Sequence, residues 1–186
     1  MIKNICQCQI CNLFKFQAPL VDNASEADII IVGLSAKKKR FSTEIPLDNT
    51  TCSGKLIKEM EIIAKKHQHR IYRTNIVKCV PLDEKSLLRY PTSYEMDCCF
   101  ANYLIEHNTL HPRIVILLGN MVQKQFEKKM SISIGDTHNC NFPYVVVDNC
   151  YYVASYHPSY VRRSKERTTN YLRNFEEFLK NIEKDG

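Results

Sequence analysis

The segment Ala27-Asp28-Ile29-Ile30-Ile31-Val32-Gly33 constrains the fold more than any other. Four consecutive β-branched residues suit an extended strand. An unbroken apolar run suits a strand covered on both faces, as in a parallel sheet. Arg113-Ile114-Val115-Ile116-Leu117-Leu118-Gly119 reads as another such strand, and in Ile71 to Val77 the β-branched Ile71, Ile76 and Val77 flank the polar pair Thr74 and Asn75. Tyr144 to Asp148 and Tyr151 to Ser155 read as a hairpin or two strand pieces across Asn149-Cys150. Between these runs the apolar spacing turns helical. Leu56, Met60 and Ile63 mark a helix from Gly54 to His67, with Ser53 as its N-cap. Thr92 or Ser93 caps a second helix to about Asn108, with Glu95 in its first turn. A third runs from Gly119-Asn120 to Lys129, ahead of a loop from Ser131 to Phe142. The last runs from Lys165 to Ile182, with Tyr171, Leu172, Phe175, Phe178, Leu179 and Ile182 on one face. Alternating strands and helices predict one α/β domain over residues 1–186. Its expected form is a three-layer α/β/α sandwich around a mainly parallel four-stranded sheet.

The chain of 186 residues is long enough for a sizeable core, and its net charge of +6 favours a polyanionic partner. No run of about 18 apolar residues predicts a membrane span. The opening Met1-Ile2-Lys3-Asn4-Ile5-Cys6 lacks the apolar core of a signal peptide, so a cytoplasmic protein is expected. Nine cysteines are a high and odd number. Without an export signal, metal or cluster ligation is a better reading than a disulfide framework. Cys8-x-x-Cys11 lets two thiolates meet one centre across a tight turn, although short cysteine pairs also arise by chance. Cys79 follows Asn75 by four residues, where Pro81 ends the strand and a loop begins. Cys98 and Cys99 lie in the second helix, which returns toward that loop. Gly33-Leu34-Ser35-Ala36 leaves a strand end, where open α/β sheets place ligands. Lys37-Lys38-Lys39-Arg40 is either a solvated loop or a phosphate contact.

Several of these pieces occur in a telling order: Cys8-x-x-Cys11-x-Leu13, Thr74-Asn75-Ile76-Val77-Lys78-Cys79-Val80-Pro81, Glu95 followed by Cys99, Ile114 to Gly119, and Ser155-Tyr156-His157-Pro158-Ser159. Together they resemble the iron–sulfur uracil-DNA glycosylases, families 4 and 5 of that superfamily. The resemblance runs from about Cys8 to the last helix. It implies a [4Fe–4S] cluster on Cys8, Cys11, Cys79 and Cys99, with zinc on the same thiols as the alternative. Cys98 competes with Cys99, and Cys6 with Cys8; the offset of Cys99 from Glu95 and from Tyr103-Leu104 matches the family.

The resemblance further implies a monomeric, monofunctional DNA glycosylase. Such an enzyme flips out a uracil or another deaminated or modified base and hydrolyses its N-glycosidic bond. Asn75 would read the base edge, and His157 would donate to a base carbonyl where negative charge develops. Gly33, Leu34 and Ser35 form the motif that shapes the pocket. Leu34 stands where family 4 carries a water-activating glutamate, so the motif is closer to the apolar one of family 5. Asp48 is the nearest carboxylate in the following loop, with an Asx-type turn as its other reading. Leu47, after Pro46, stands where the family has an aromatic that stacks on the base. Tyr160, Val161 and Arg162 occupy the place of the loop that wedges into the duplex, and Ser159 ahead of them is a further candidate DNA contact. Arg162, Arg163 and Lys165 would meet phosphates. The altered motif and longer loop also fit a bulkier modified base, such as those of phage DNA, or a DNA-binding member with weak catalysis.

Overall fold

A computed structural model describes residues 2–138 and 141–184. Two 3-10 turns, Ile2–Gln7 and Asn12–Lys15, precede the first strand, β1 (Ile29–Ser35). Then follow α1 (Cys52–Lys66), β2 (Ile71–Val77), α2 (Ser93–Leu110), β3 (Ile114–Leu118) and α3 (Asn120–Met130). The chain ends with β4 (Tyr144–Val147), β5 (Cys150–Ser155), the single turn α4 (Pro158–Val161) and α5 (Lys165–Lys184). Residues 139–140 of the expected loop before Phe142 lie outside the described residues.

The sheet has five strands in the order β2-β1-β3-β5-β4, where four were expected. Four of them, β2, β1, β3 and β5, run parallel. The fifth, β4, joins β5 in antiparallel register at one edge. Asp148 and Asn149 link the two with φ of 49° and 62°. Two successive left-handed residues make the tight turn that matches strand twist, so hairpin and sheet edge are one feature.

Alternation along the strands builds the layers. Ile30 and Val32 of β1 face one core with Tyr72, Phe100, Tyr103, Val115, Leu117 and Phe126. Ile29 and Ile31 face the other, with Leu56, Met60, Ile116, Tyr171 and Phe175. The N-terminal turns, α2 and α3 therefore cover one face, and α1, α4 and α5 the other. Both faces are sealed, which is why β1 from Ile29 to Val32 and all of β3 are continuously apolar. No helix among the described residues is long and apolar enough to cross a membrane.

The helix boundaries follow their caps. Thr92 and Glu95 form a reciprocal capping box at α2. At α1 the cap is Thr51 rather than Ser53: its hydroxyl accepts the Gly54 N–H at 2.9 Å. The helix thus starts two residues earlier than expected, and Ser53 belongs to its first turn.

Candidate functional site

Because β1 lies between β2 and β3, the chain leaves β1 and β3 on opposite faces, and a crevice opens at their C-terminal ends. A cleft of about 420 Å³ occupies it. Its lining includes Gly33, Leu34 and Ser35 from β1, Asn75 from β2, and His157 from beyond β5. Leu47 and Asp48 come from the loop ahead of α1.

Asn75 pairs with Gly33 in the parallel register of β2 and β1. A Cβ on Gly33 would stand 2.3 Å from the Asn75 side-chain oxygen, so only glycine lets that amide lie across the strand end. The amide has no hydrogen-bond partner among the described residues, leaving its donor and acceptor for a ligand. The Asn75 backbone is held firmly from below. Lys78 Nζ donates to its carbonyl at 2.7 Å, to Thr74 Oγ1 at 2.6 Å and to Glu106 Oε2 at 2.6 Å. Lys78 and Glu106 are both fully buried. Tyr72 donates to the same carboxylate at 3.0 Å, and the Thr74 hydroxyl at 2.9 Å. Every donor of the ammonium is used, as a buried charge requires.

His157 is the N-cap of α4. Its Nδ1 accepts the Ser159 backbone N–H at 3.2 Å and lies 2.7 Å from Ser159 Oγ. An Nδ1 that accepts from an amide carries no proton, so the proton of the neutral ring sits on Nε2. Burial pushes the His157 pKa below the ordinary histidine value, and the charge of Lys37 adds to the effect. Near neutral pH the side chain is therefore an uncharged donor through Nε2.

Asp48 forms an Asx turn: Oδ1 accepts from Thr50 N at 2.9 Å and Thr50 Oγ1 at 2.6 Å. The turn residue also lines the cleft. Desolvation alone would raise its pKa. The Thr50 hydrogen bonds, with Arg40 and Arg73, outweigh that and hold the carboxyl below its ordinary range. Oδ2 has no partner among the described residues. A Cβ on Gly54 would stand 1.9 Å from the Asp48 carbonyl oxygen, so glycine there lets the loop settle on α1. Arg73, almost fully buried, pins the same loop by donating to Leu47 O and Asn49 Oδ1, both at 2.9 Å. Leu47 adopts φ of 52°, an uncommon left-handed conformation for leucine that these contacts sustain.

Four thiols, those of Cys8, Cys11, Cys79 and Cys99, lie near one another between the N-terminal turns, the end of β2, and α2. Asn102 Nδ2 donates to Cys8 Sγ at 3.3 Å and to Cys99 Sγ at 3.6 Å. The Lys78 backbone N–H donates to Cys99 Sγ at 3.3 Å. Burial pushes the Cys79 thiol up to about 12, with further contributions from Cys99, Cys11 and Cys8. Cys11 is likewise raised, chiefly by burial, with Cys99, Cys8 and Cys98 also contributing. Cys98 is half-buried and hydrogen-bonded to Tyr94, and Cys6 is exposed. Among the described residues no group of three or more His, Cys, Asp or Glu side chains would hold a metal ion. The sulfurs of Cys8 and Cys99 accept these N–H donors, and among the described residues no carboxylate is hydrogen-bonded to them.

Held against known families, the chain matches the model of the uracil DNA glycosylase superfamily over residues 21–183. The chain belongs to this superfamily. A similar protein is the type-4 uracil-DNA glycosylase of Archaeoglobus fulgidus, 25% identical over 122 residues. That match takes in 64% of this chain and 58% of the relative.

For a superfamily member, the cleft assembles seven of the residues singled out in the sequence: Gly33, Leu34, Ser35, Leu47, Asp48, Asn75 and His157. Ser159 lies outside that lining and contacts Nδ1 of His157. Tyr160 lines a neighbouring hollow. Arg162 points away, its guanidinium 2.7 Å from Glu59 on α1, and Arg163 lies 5.6 Å over the Tyr160 ring. Val161 is buried in the core, so it is not a free wedge; a β-branched residue between α1 and α5 is worth more inside than out.

Arg89 and Tyr90, which no local sequence pattern marks, complete the lining of the cleft. Their segment is polar and irregular, yet a Leu82–Leu88 bridge and a bidentate Arg89–Glu95 pair fix its shape. The basic run supplies Lys37 to the cleft. Gln17 clamps that run from both sides, donating to Lys37 O at 3.2 Å and accepting from Lys39 N at 2.7 Å.

Proposed function

We propose that the protein is a DNA glycosylase that extrudes a uracil or another deaminated or modified base into the cleft and hydrolyses its N-glycosidic bond. The observation that carries this reading is the pairing of two groups in one cavity. A neutral imidazole offers Nε2–H, and an unpartnered amide offers a donor and an acceptor. Breaking the bond leaves negative charge on the departing base. A fixed donor at its carbonyl oxygen stabilises that charge without reorganising in the step. Asn75 pairs with the polar edge and fixes which base lies flat in the cleft. Leu47 covers one face of the ring.

The sugar left behind gains oxocarbenium character. Asp48, ionised well into the acid range, is a weak base and a persistent negative charge. It therefore supports the cationic sugar and orients water more readily than it abstracts a proton. Capture by water, with no covalent intermediate, makes the enzyme monofunctional. Lys37 in the cleft serves the DNA phosphate as a charge.

A [4Fe–4S] cluster fits the thiol quartet of Cys8, Cys11, Cys79 and Cys99. It would tie the N-terminal turns to β2 and α2, and supply no redox step to a hydrolysis. The N–H donors at Cys8 and Cys99 support thiolate ligands, with zinc on the same thiols as the alternative.

The deciding experiment is single-turnover base release from oligonucleotides carrying uracil, hypoxanthine, xanthine or hydroxymethylated pyrimidines. Wild type is expected to release one of these, and His157→Ala and Asn75→Ala to lose most of that activity. Equal rates in all three proteins would end the assignment. Leu34 in place of a carboxylate and the broad cleft favour one second reading, a larger modified base, which the same panel detects.

A further inference from the structure

His157 lines two cavities. Behind it lies a second hollow of about 630 Å³ between α3, the loop after it, and the β5–α4 turn. We infer that this hollow holds the base adjacent to the extruded one, unpaired and unstacked, and that the protein thereby acts on single-stranded or locally opened DNA. The inference rests on the cleft's role as a base pocket and deepens it.

The argument begins with spacing. Successive nucleotides of a strand rise only about 3.4 Å. When one base enters the cleft, its neighbour must pass within a side chain's width of His157, and the second hollow begins there. The wall of that hollow is an ordered aromatic pile. Tyr156 and Tyr160 stack at 4.8 Å with 30° between ring planes. Tyr156 is fixed by its hydroxyl, which donates to Thr137 O at 2.8 Å, and by the ring of His138 at 6.0 Å. Arg167 lies 4.6 Å from the Tyr160 ring centre. Such preset rings are the platform on which unpaired bases stack whatever their sequence.

Charge separates base from phosphate. Glu127 and Asp136 both line the hollow, so a phosphate inside would meet carboxylates. Their oxygens already accept from Ile134 N and His138 N, but each keeps acceptor capacity for a base amine. Lys124 and Asn120, also in the lining, have no partner among the described residues and suit the backbone at the rim. A paired, stacked neighbour in duplex DNA could not reach the hollow. An unpaired one can.

The test separates the hollow from the cleft. A fluorescent single strand carries a central tetrahydrofuran abasic analogue, and its affinity is read by anisotropy. In companion strands the 5′ or the 3′ neighbour is also replaced by tetrahydrofuran. Removing the neighbouring base on one side is expected to weaken wild-type binding about tenfold, the size of one base–aromatic stack. That sensitivity should vanish in Tyr160→Leu and shrink in the double variant Asn120→Ala/Lys124→Ala, which spares the aromatic packing. Equal affinity for all strands, or undiminished sensitivity in both variants, overturns the inference. Base release by wild type alongside such a negative leaves the cleft standing. A neighbour effect without any base release would leave the hollow as a single-strand site and end the catalytic reading instead.

Discussion

Replacing Lys78 with methionine separates what holds the fold from what positions the site. The side chain keeps its length and loses its charge. Glu106 is then left fully buried, its partner gone and only the Tyr72 and Thr74 hydroxyls donating to it. Removing one partner of a buried ion pair costs about 3–5 kcal/mol. Total stability for a domain is about 5–15 kcal/mol. With a urea slope of about 2 kcal/mol/M, the midpoint should fall by about 2 M. Adding Glu106→Gln removes the stranded charge while keeping an acceptor for the two hydroxyls, so most of the midpoint should return. Base release should not return with it. In the double variant the Asn75 carbonyl still lacks its donor, a loss of about 1–3 kcal/mol that falls on the residue reading the base. The backbone N–H of residue 78 still donates to Cys99, so the thiol site is a built-in control. Urea unfolding by circular dichroism and single-turnover rates read the two effects. A midpoint shift under 0.5 M in the single variant, or wild-type rates in the double variant, would refute the reasoning.

His157→Ala should slow base release about 10²–10³-fold with little change in melting, measured in single turnover. Because burial lowers the His157 pKa, the wild-type rate should hold steady at neutral pH and fall only as acidity carries the ring below the ordinary histidine range. The same sign applies to folding: the unfolded chain takes up this proton first, so the contribution to stability is lost as pH drops through that window. Gly33→Ala should push the Asn75 amide aside and cut kcat/KM, while circular dichroism stays native. Cys79→Ser in anaerobically purified protein should abolish an absorption band near 400 nm, which wild type is expected to carry. Borohydride added during turnover should trap no protein–DNA adduct, the outcome expected if Lys37 remains a charge and never a nucleophile.

Much of this architecture was legible because apolar runs and caps are local signals. The β-branched run in β1 and the Thr92–Glu95 box each declare their element within a few residues. Asn75 and Gly33 were individually visible, but their contact depends on strand register, which no local pattern encodes. Lys78 carries no local mark of its burial, since its partner lies 28 residues away on another element. Arg73 was hidden for the same reason: its Leu47 and Asn49 contacts cross from a strand to a loop. The mouth formed by Arg89 and Tyr90 was missed because a polar irregular stretch acquires shape only from a distant bidentate pair. The fifth strand escaped the count because a half-exposed edge strand and a free hairpin share one sequence pattern.

The clamp made by Gln17 joins two regions that otherwise have separate tasks. The segment that carries Cys8 and Cys11 is stitched to the loop of Lys37 and Lys39 by a single side-chain amide acting as a short ladder rung. Trimming the chain ahead of Ala18 would therefore do more than remove two of the proposed ligands. It would unbutton the lysine loop beside the cleft, so a change near the N-terminus would reach the cavity proposed to hold the base.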